Sequence, residues 1–185
     1  MAVEEPEFKP VLVDGAFEVR DYPALVVAEV TVEGAQWPAA NRGFRLLARY
    51  IFGGNRRRQS IAMTAPVAQQ PTGEKIAMTA PVGQIKNAGA WTIRFTMPRG
   101  YSLATLPEPN DPKVQLRDLP AARFAVLRFS GLACPGDVER KSAALFKAIR
   151  ARRLNASGPV TLAQYNPPWT LWFMRRNEVM VRVEA

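Results

Sequence analysis

The chain contains no histidine. That absence excludes Ser-His-Asp and Cys-His relays, HExxH zinc sites, and any haem or iron centre held by imidazole. Carboxylates, lysines, tyrosines and one thiol, Cys134, remain to handle protons. A lone cysteine forms no internal disulfide, so packing must hold the fold, as reducing compartments require, and a cytoplasmic location is expected. No apolar run approaches the ~18 residues of a spanning helix, so no integral membrane segment is expected. Residues 1–10 carry Glu4, Glu5 and Glu7 and no apolar core, so no signal peptide is expected either.

Acidic residues are also scarce: 16, against 25 Lys and Arg in 185 residues, for a net charge of +9 and a pI near 10.3. Such a balance favours anionic partners, whether nucleic acid, lipid headgroups or small carboxylates. The clusters Arg56-Arg57-Arg58 and Arg152-Arg153 read as solvated loop or helix ends. No aromatic RNA-binding strand, zinc knuckle or long basic helix accompanies them, so a nucleic-acid partner is not expected. With 48% hydrophobic residues, one monomeric domain over 1–185 is the expected organisation.

What the chain does have is a repeat. Residues 19–24 read VRDYPA and residues 116–121 read LRDLPA, an offset of 97 that also relates Ala28 to Ala125. Each copy lies between two β-rich runs, 17–22 then 25–32 and 114–119 then 123–129, so each predicts a strand, a tight bend and a second strand. Asp21 and Asp118 occupy the same bend, which favours a turn-capping role over a catalytic one. A helix follows in both halves. Small or apolar residues recur at Ala40, Phe44, Leu47, Ala48 and Ile51, and then at Val138, Ser142, Leu145, Phe146 and Ile149. That spacing predicts one buried stripe per helix. Further strands are expected at 61–68, 76–84, 91–97, 160–165 and 178–184. The predicted fold is α+β: duplicated β-β-α-β-β halves, about 11–97 and 113–184, joined by a Pro-rich linker at 98–112. Paired, they would make a distorted antiparallel barrel flanked by two helices with pseudo-twofold symmetry.

Two motifs carry possible chemistry. IAMTAPV occurs twice, at 61–67 and 76–82, placing Met63 and Met78 as either soft ligand walls or core filler. Near the end, YNPPW at 165–169 and RRNEV at 175–179 frame a rigid aromatic connection. Arg175 and Arg176 could clamp a carboxylate there, although tying the last strand to the loop is the simpler role.

The ordered set FEVRDYPA, YIFGGN, IAMTAPV, FTMP, FSG, YNPPW and RRNEV resembles the SOUL haem-binding protein family over about 17–183. The resemblance implies non-catalytic binding of haem, protoporphyrin or another tetrapyrrole, as carrier or buffer. It also implies a shallow apolar depression beside the first helix. On that helix Leu46 and Tyr50 are expected opposite the core stripe, flanked by Arg42 and Arg49, with Trp169 and Thr170 of the late loop closing over them. Some members carry a proposed histidine ligand where this chain has Asp21, so no axial imidazole and no metal ligand is expected here. Two other readings stay open. One is a small-molecule sensor module related to the effector-binding domains of transcription regulators, which an acidic residue in a central cleft would favour. The other is an enzyme using Glu178 or Tyr165 as acid-base group.

Overall fold

Proline breaks each of the two matching strand segments, and those breaks organise the whole sheet. The computed structural model describes residues 3–56, 73–167 and 169–184. Its strands are β1 (Lys9–Asp14), β2 (Phe17–Tyr22), β3 (Leu25–Glu33), β4 (Asn55–Arg56), β5 (Val82–Asn87), β6 (Ala90–Thr96), β7 (Glu108–Pro109), β8 (Gln115–Leu119), β9 (Ala122–Phe129), β10 (Asn155–Gln164) and β11 (Asn177–Glu184). The helices are α1 (Gln36–Ile51) and α2 (Pro135–Ala151), and a 3-10 turn spans Trp172–Met174.

Strands β2 and β3 do not form a hairpin. Instead β2 pairs with β9 through Tyr22↔Ala122, and past the bend β3 pairs with β8 from Leu25↔Leu119. The prolines at 23 and 120 lack a backbone donor, so the ladder is interrupted at both corners and each chain passes from one end of the sheet to the other. The sheet runs β1-β2-β9-β11-β10-β5-β6-β3-β8, antiparallel at every pairing. Among the described residues it ends in β1 and β8 as edges, so the α+β class holds but the sheet is not closed into the expected distorted barrel. The ends of the sheet meet at the two bends rather than along a ladder.

Alternation sends one set of side chains toward the helices. Under α1 this set is Ala28, Val30, Ile93 and Phe95, packed with Leu47 and Ile51. Under α2 it is Phe17, Val19, Ala125, Val179 and Val181, packed with Leu145 and Ile149. Helix α1 is seated deeply. At Gly43 an added Cβ would lie 2.4 Å from Ile93 Cγ1, so only glycine lets the helix approach β6 this closely. Just past the helix end, the φ of +109° at Gly53 lets Gly54 donate to Arg49 O at 2.8 Å.

Two sequence expectations need correcting. The buried stripe of α1 is Gln36, Ala39, Ala40, Gly43, Leu47, Tyr50 and Ile51. Phe44, expected in the core, is 38% exposed and touches Phe95 edge-on, while Tyr50, expected outward, is 1% exposed. The second IAMTAPV copy is largely not strand. Ile76 donates to Ile51 O at the end of α1, Thr79 bridges to Glu4, and the ladder begins only at Val82, after Pro81. The first copy, with Met63, lies outside the described residues, as do Arg57 and Arg58. Among the described residues no helix is long and apolar enough to cross a membrane.

Candidate functional site

The hollow beside the C-terminal part of α1 contains three of the expected site residues. Leu46, Arg49 and Tyr50 line it together with Asn110, Asp111, Pro112, Lys113 and Val114, around a volume of 390 Å³. The linker was expected only to connect the halves, yet it supplies the opposite wall. It is fastened there by the Tyr50 hydroxyl, which donates to Pro107 O at 3.0 Å, and by Asn110 N donating to Gly54 O at 3.1 Å. Asn55, buried just past α1, donates to Tyr50 O at 2.7 Å and to Glu74 O at 2.8 Å. Tyr50 therefore belongs to the core and contributes an edge, not a free face. Pro112 and Val114 take part of the apolar role expected of it, and Lys113 adds a second cation; the Pro-rich reading of the linker carried no hint of this neighbour.

The remaining expected residues lie apart. Arg42 lines no part of this hollow and donates from Nη2 to Glu33 O at 2.5 Å, near the start of the helix. Trp169 is 83% exposed in the β10–β11 connection, where Thr170 N donates to Pro167 O at 3.0 Å; neither lines the hollow. In that connection Arg175 Nε donates to Thr170 O at 2.8 Å, which is the tying role expected for this pair.

A second hollow, 700 Å³, lies between the two helices over β5 and β10, with Gln36, Gln84, Trp91, Val138, Phe146 and Leu162 in its walls. A third, 210 Å³, lies on the sheet face away from the helices, where Phe8, Tyr22, Phe124, Tyr165 and Met180 converge with the prolines of both bends. Its sequence signal was β9, ARFAVLRF, apolar at both alternations and therefore covered on both faces.

Behind this third hollow sits a buried ion cluster. Glu178 is fully buried, and its carboxylate accepts from Arg20 Nη1 at 2.8 Å and Nη2 at 3.0 Å, from the Tyr165 hydroxyl at 2.7 Å, and from Arg176 Nη2 at 2.9 Å. Burial alone would raise the carboxyl pKa, but the hydrogen bonds from Arg20 and Tyr165 and the two guanidinium charges outweigh it and hold Glu178 below its ordinary value. Burial, with the adjacent Glu178 charge, pushes the Tyr165 phenol far up. Arg176 lies over the Tyr165 ring at 3.8 Å and Arg20 over the Phe8 ring at 4.3 Å. An acid-base pair needs a group poised near the working pH; here the carboxylate is locked ionised and the phenol locked neutral. Asp21, expected to cap its turn, instead forms a cross-strand ion pair with Arg123 at 2.6 Å.

Of the groups that could approach a haem iron, Tyr165 gives its proton to Glu178, Met78 and Cys134 line none of the three hollows, and the thioether of Met180 lines the third. The α1 hollow does suit the carboxylate-bearing edge of an apolar plate, with Leu46 and Val114 as apolar contacts and Arg49 and Lys113 as cations, Asp111 being the one acid.

A family described as "SOUL heme-binding protein" matches residues 3–182. No curated protein matches the chain. Among solved structures, the fold is similar to the EcmrR C-terminal domain, with a TM-score of 0.62 at 9% identity over 91% of this chain and 96% of that one. It is also similar to a protein of Listeria innocua titled a hydrolase, with a TM-score of 0.60 at 10% identity over 94% of each chain. At such identity the likeness concerns the fold alone.

Proposed function

The chain belongs to the SOUL haem-binding protein family, and from that membership we propose that it binds haem or a related tetrapyrrole reversibly, without histidine ligation, as a carrier or buffer. The observation that carries this reading is the α1 hollow, an apolar recess with Arg49 and Lys113 at its margin. Leu46, Pro112 and Val114 would take one edge of the macrocycle, stabilised by roughly 25 cal/mol per Å² of apolar area removed from water. Arg49 and Lys113 would pair with its propionates. Bound there, the tetrapyrrole supplies a planar, light-absorbing, redox-capable ring; the chain supplies shape and counter-charge. Affinity should be moderate, as suits a carrier. Arg42 lies too early on the helix for the hollow and would meet only an outlying carboxylate, and Trp169 and Thr170 would join only if the late loop moved over the ligand.

We also read the scaffold as duplicated. Exchanging β2, β3, β5 and β6 for β8, β9, β10 and β11 turns the order β2-β9-β11-β10-β5-β6-β3-β8 into its own reverse, which supports a twofold lying between β5 and β10. The locked state of Glu178 and Tyr165 supports binding over catalysis. It also weighs against a sensor of cationic ligands, because the buried carboxylate that such a sensor would offer is already neutralised.

Titration with ferric haem and with metal-free protoporphyrin tests the proposal. Comparable micromolar binding of both, weakened about tenfold or more by Arg49→Glu or Lys113→Glu, is expected, a loss of about 1.4 kcal/mol. No binding of either at micromolar concentration rejects it.

A further inference from the structure

The cleft on the sheet face away from the helices lies apart from α1, and its walls are aromatic and apolar: Phe8, Tyr22, Phe124, Tyr165 and Met180, closed on one side by Glu5 and Pro6 of the N-terminal segment. That segment is a built wall. Ala80 N donates to Glu4 O at 2.9 Å, Arg176 pairs with Glu5 at 3.0 Å, and Phe8 packs on Tyr22 with ring centroids 5.4 Å apart.

The charges around the cleft decide what it can hold. The three carboxylates that line the cleft or back its walls, Glu178, Glu5 and Glu29, are each engaged by arginine. Glu178 takes Arg20 and Arg176; Glu5 takes Arg176; and Glu29 takes both Arg94 at 2.7 Å and Arg117 at 2.8 Å. None of these three is free to attract a cation. Arg182 lines the cleft beside Phe124, its partner across the β9–β11 ladder, and no side-chain partner is recorded for it among the described residues. A free guanidinium against aromatic walls favours a flat apolar anion, since the ring is removed from water while the anionic group takes a charge-assisted hydrogen bond at the rim.

We propose that this cleft is a second ligand site, for a small planar aromatic carboxylate or sulfonate, with Arg182 as its counter-charge and the N-terminal segment as its wall. The site is independent of the tetrapyrrole reading and shares no lining residue with the α1 hollow. Calorimetric titration of the full chain with naphthalenesulfonate and with naphthyltrimethylammonium, alike in shape and opposite in charge, tests it. The sulfonate should bind at one site at least about tenfold more tightly. Arg182→Gln should bring the ratio close to one and Arg182→Glu should invert it, both variants keeping the parent's thermal midpoint because the side chain is exposed and unpaired. Arg49→Glu should leave the preference in place. Absence of sulfonate binding, equal affinity for both ions, or a preference that survives Arg182→Glu overturns the proposal. So does a preference lost with Arg49→Glu, because the ion would then sit in the α1 hollow.

Discussion

The stripes of α1 and α2 match position for position, Leu47 and Ile51 in one helix corresponding to Leu145 and Ile149 in the other, yet the two helices meet their strands differently. Helix α1 buries seven residues, whereas α2 buries Leu145 and Ile149 alone and leaves the 700 Å³ hollow along its flank. Two substitutions account for much of this. Gly43, where α2 has Lys141, removes the side chain that would hold α1 off β6. Tyr50, where α2 has Ala148, reaches across to Pro107 and draws the linker against the helix end. The cationic hollow lies where Tyr50 brings the linker against the end of α1. A similar contrast marks the sheet's other face. The register Ala28↔Phe95 and Ala125↔Val181 makes Thr92 the counterpart of Glu178. Thr92 sits in a neutral network with Thr31 and Asn87, both at 3.0 Å, where the second half has its buried ion cluster.

The largest break in that contrast should come from Arg20→Ala. It strips Glu178 of a bidentate partner while the carboxylate stays buried, and urea unfolding should show a loss of about 3–5 kcal/mol. The counterpart Thr92→Val should cost only about 1 kcal/mol, since no charge is stranded. A loss of similar size in both variants would remove the distinction between the halves.

The same cluster predicts how stability follows pH. Glu178 is held below its ordinary 4.5, so the folded chain resists protonation there, and its contribution is present above that value and lost as pH falls below it. Tyr165 is pushed above its ordinary 10.0, so its contribution is present below that value and lost as pH rises through the alkaline range. Urea midpoints should therefore fall at both ends. Glu178→Gln, although less stable at neutral pH, should flatten the acid limb, and Tyr165→Phe the alkaline one.

Gly43→Ala should come next. Its Cβ would press on Ile93 and Val30, and overpacking should cost about 1–3 kcal/mol despite alanine's better helix propensity. Lys141→Ala on α2 should stay within about 0.5 kcal/mol. Tyr50→Phe should cost about 1 kcal/mol for the lost bond to Pro107 O. Its sharper readout is amide hydrogen exchange, which should quicken at Asn110 as the linker loosens from α1.

Much of this organisation was legible in the chain, and the parts that were not share a cause. Both helices, both bends and strands β2, β3, β6, β9 and β11 fall within a few residues of their expected places, because alternation, helical spacing and proline act locally. Leu46 and Arg49, expected away from the core stripe in the depression that the resemblance implied, both line the hollow at the end of α1. Tyr50 was misplaced because a helix repeat leaves the edge of the buried sector open by about one residue, and the linker settled it by covering that edge. Arg182 and Phe124 went unnoticed because cross-strand neighbours that are 58 positions apart leave no periodic trace.

From the sequence alone followed the absence of imidazole chemistry, the excess of positive charge, the two-part pattern and the family, since each depends on which residues are present and how they are spaced. Only the tertiary structure decided that the sheet stays open, that Glu178 is silenced by two arginines, and that Lys113 stands opposite Arg49. Those outcomes turn on which distant segments are brought within a few ångströms, where burial and charge change what a side chain can do.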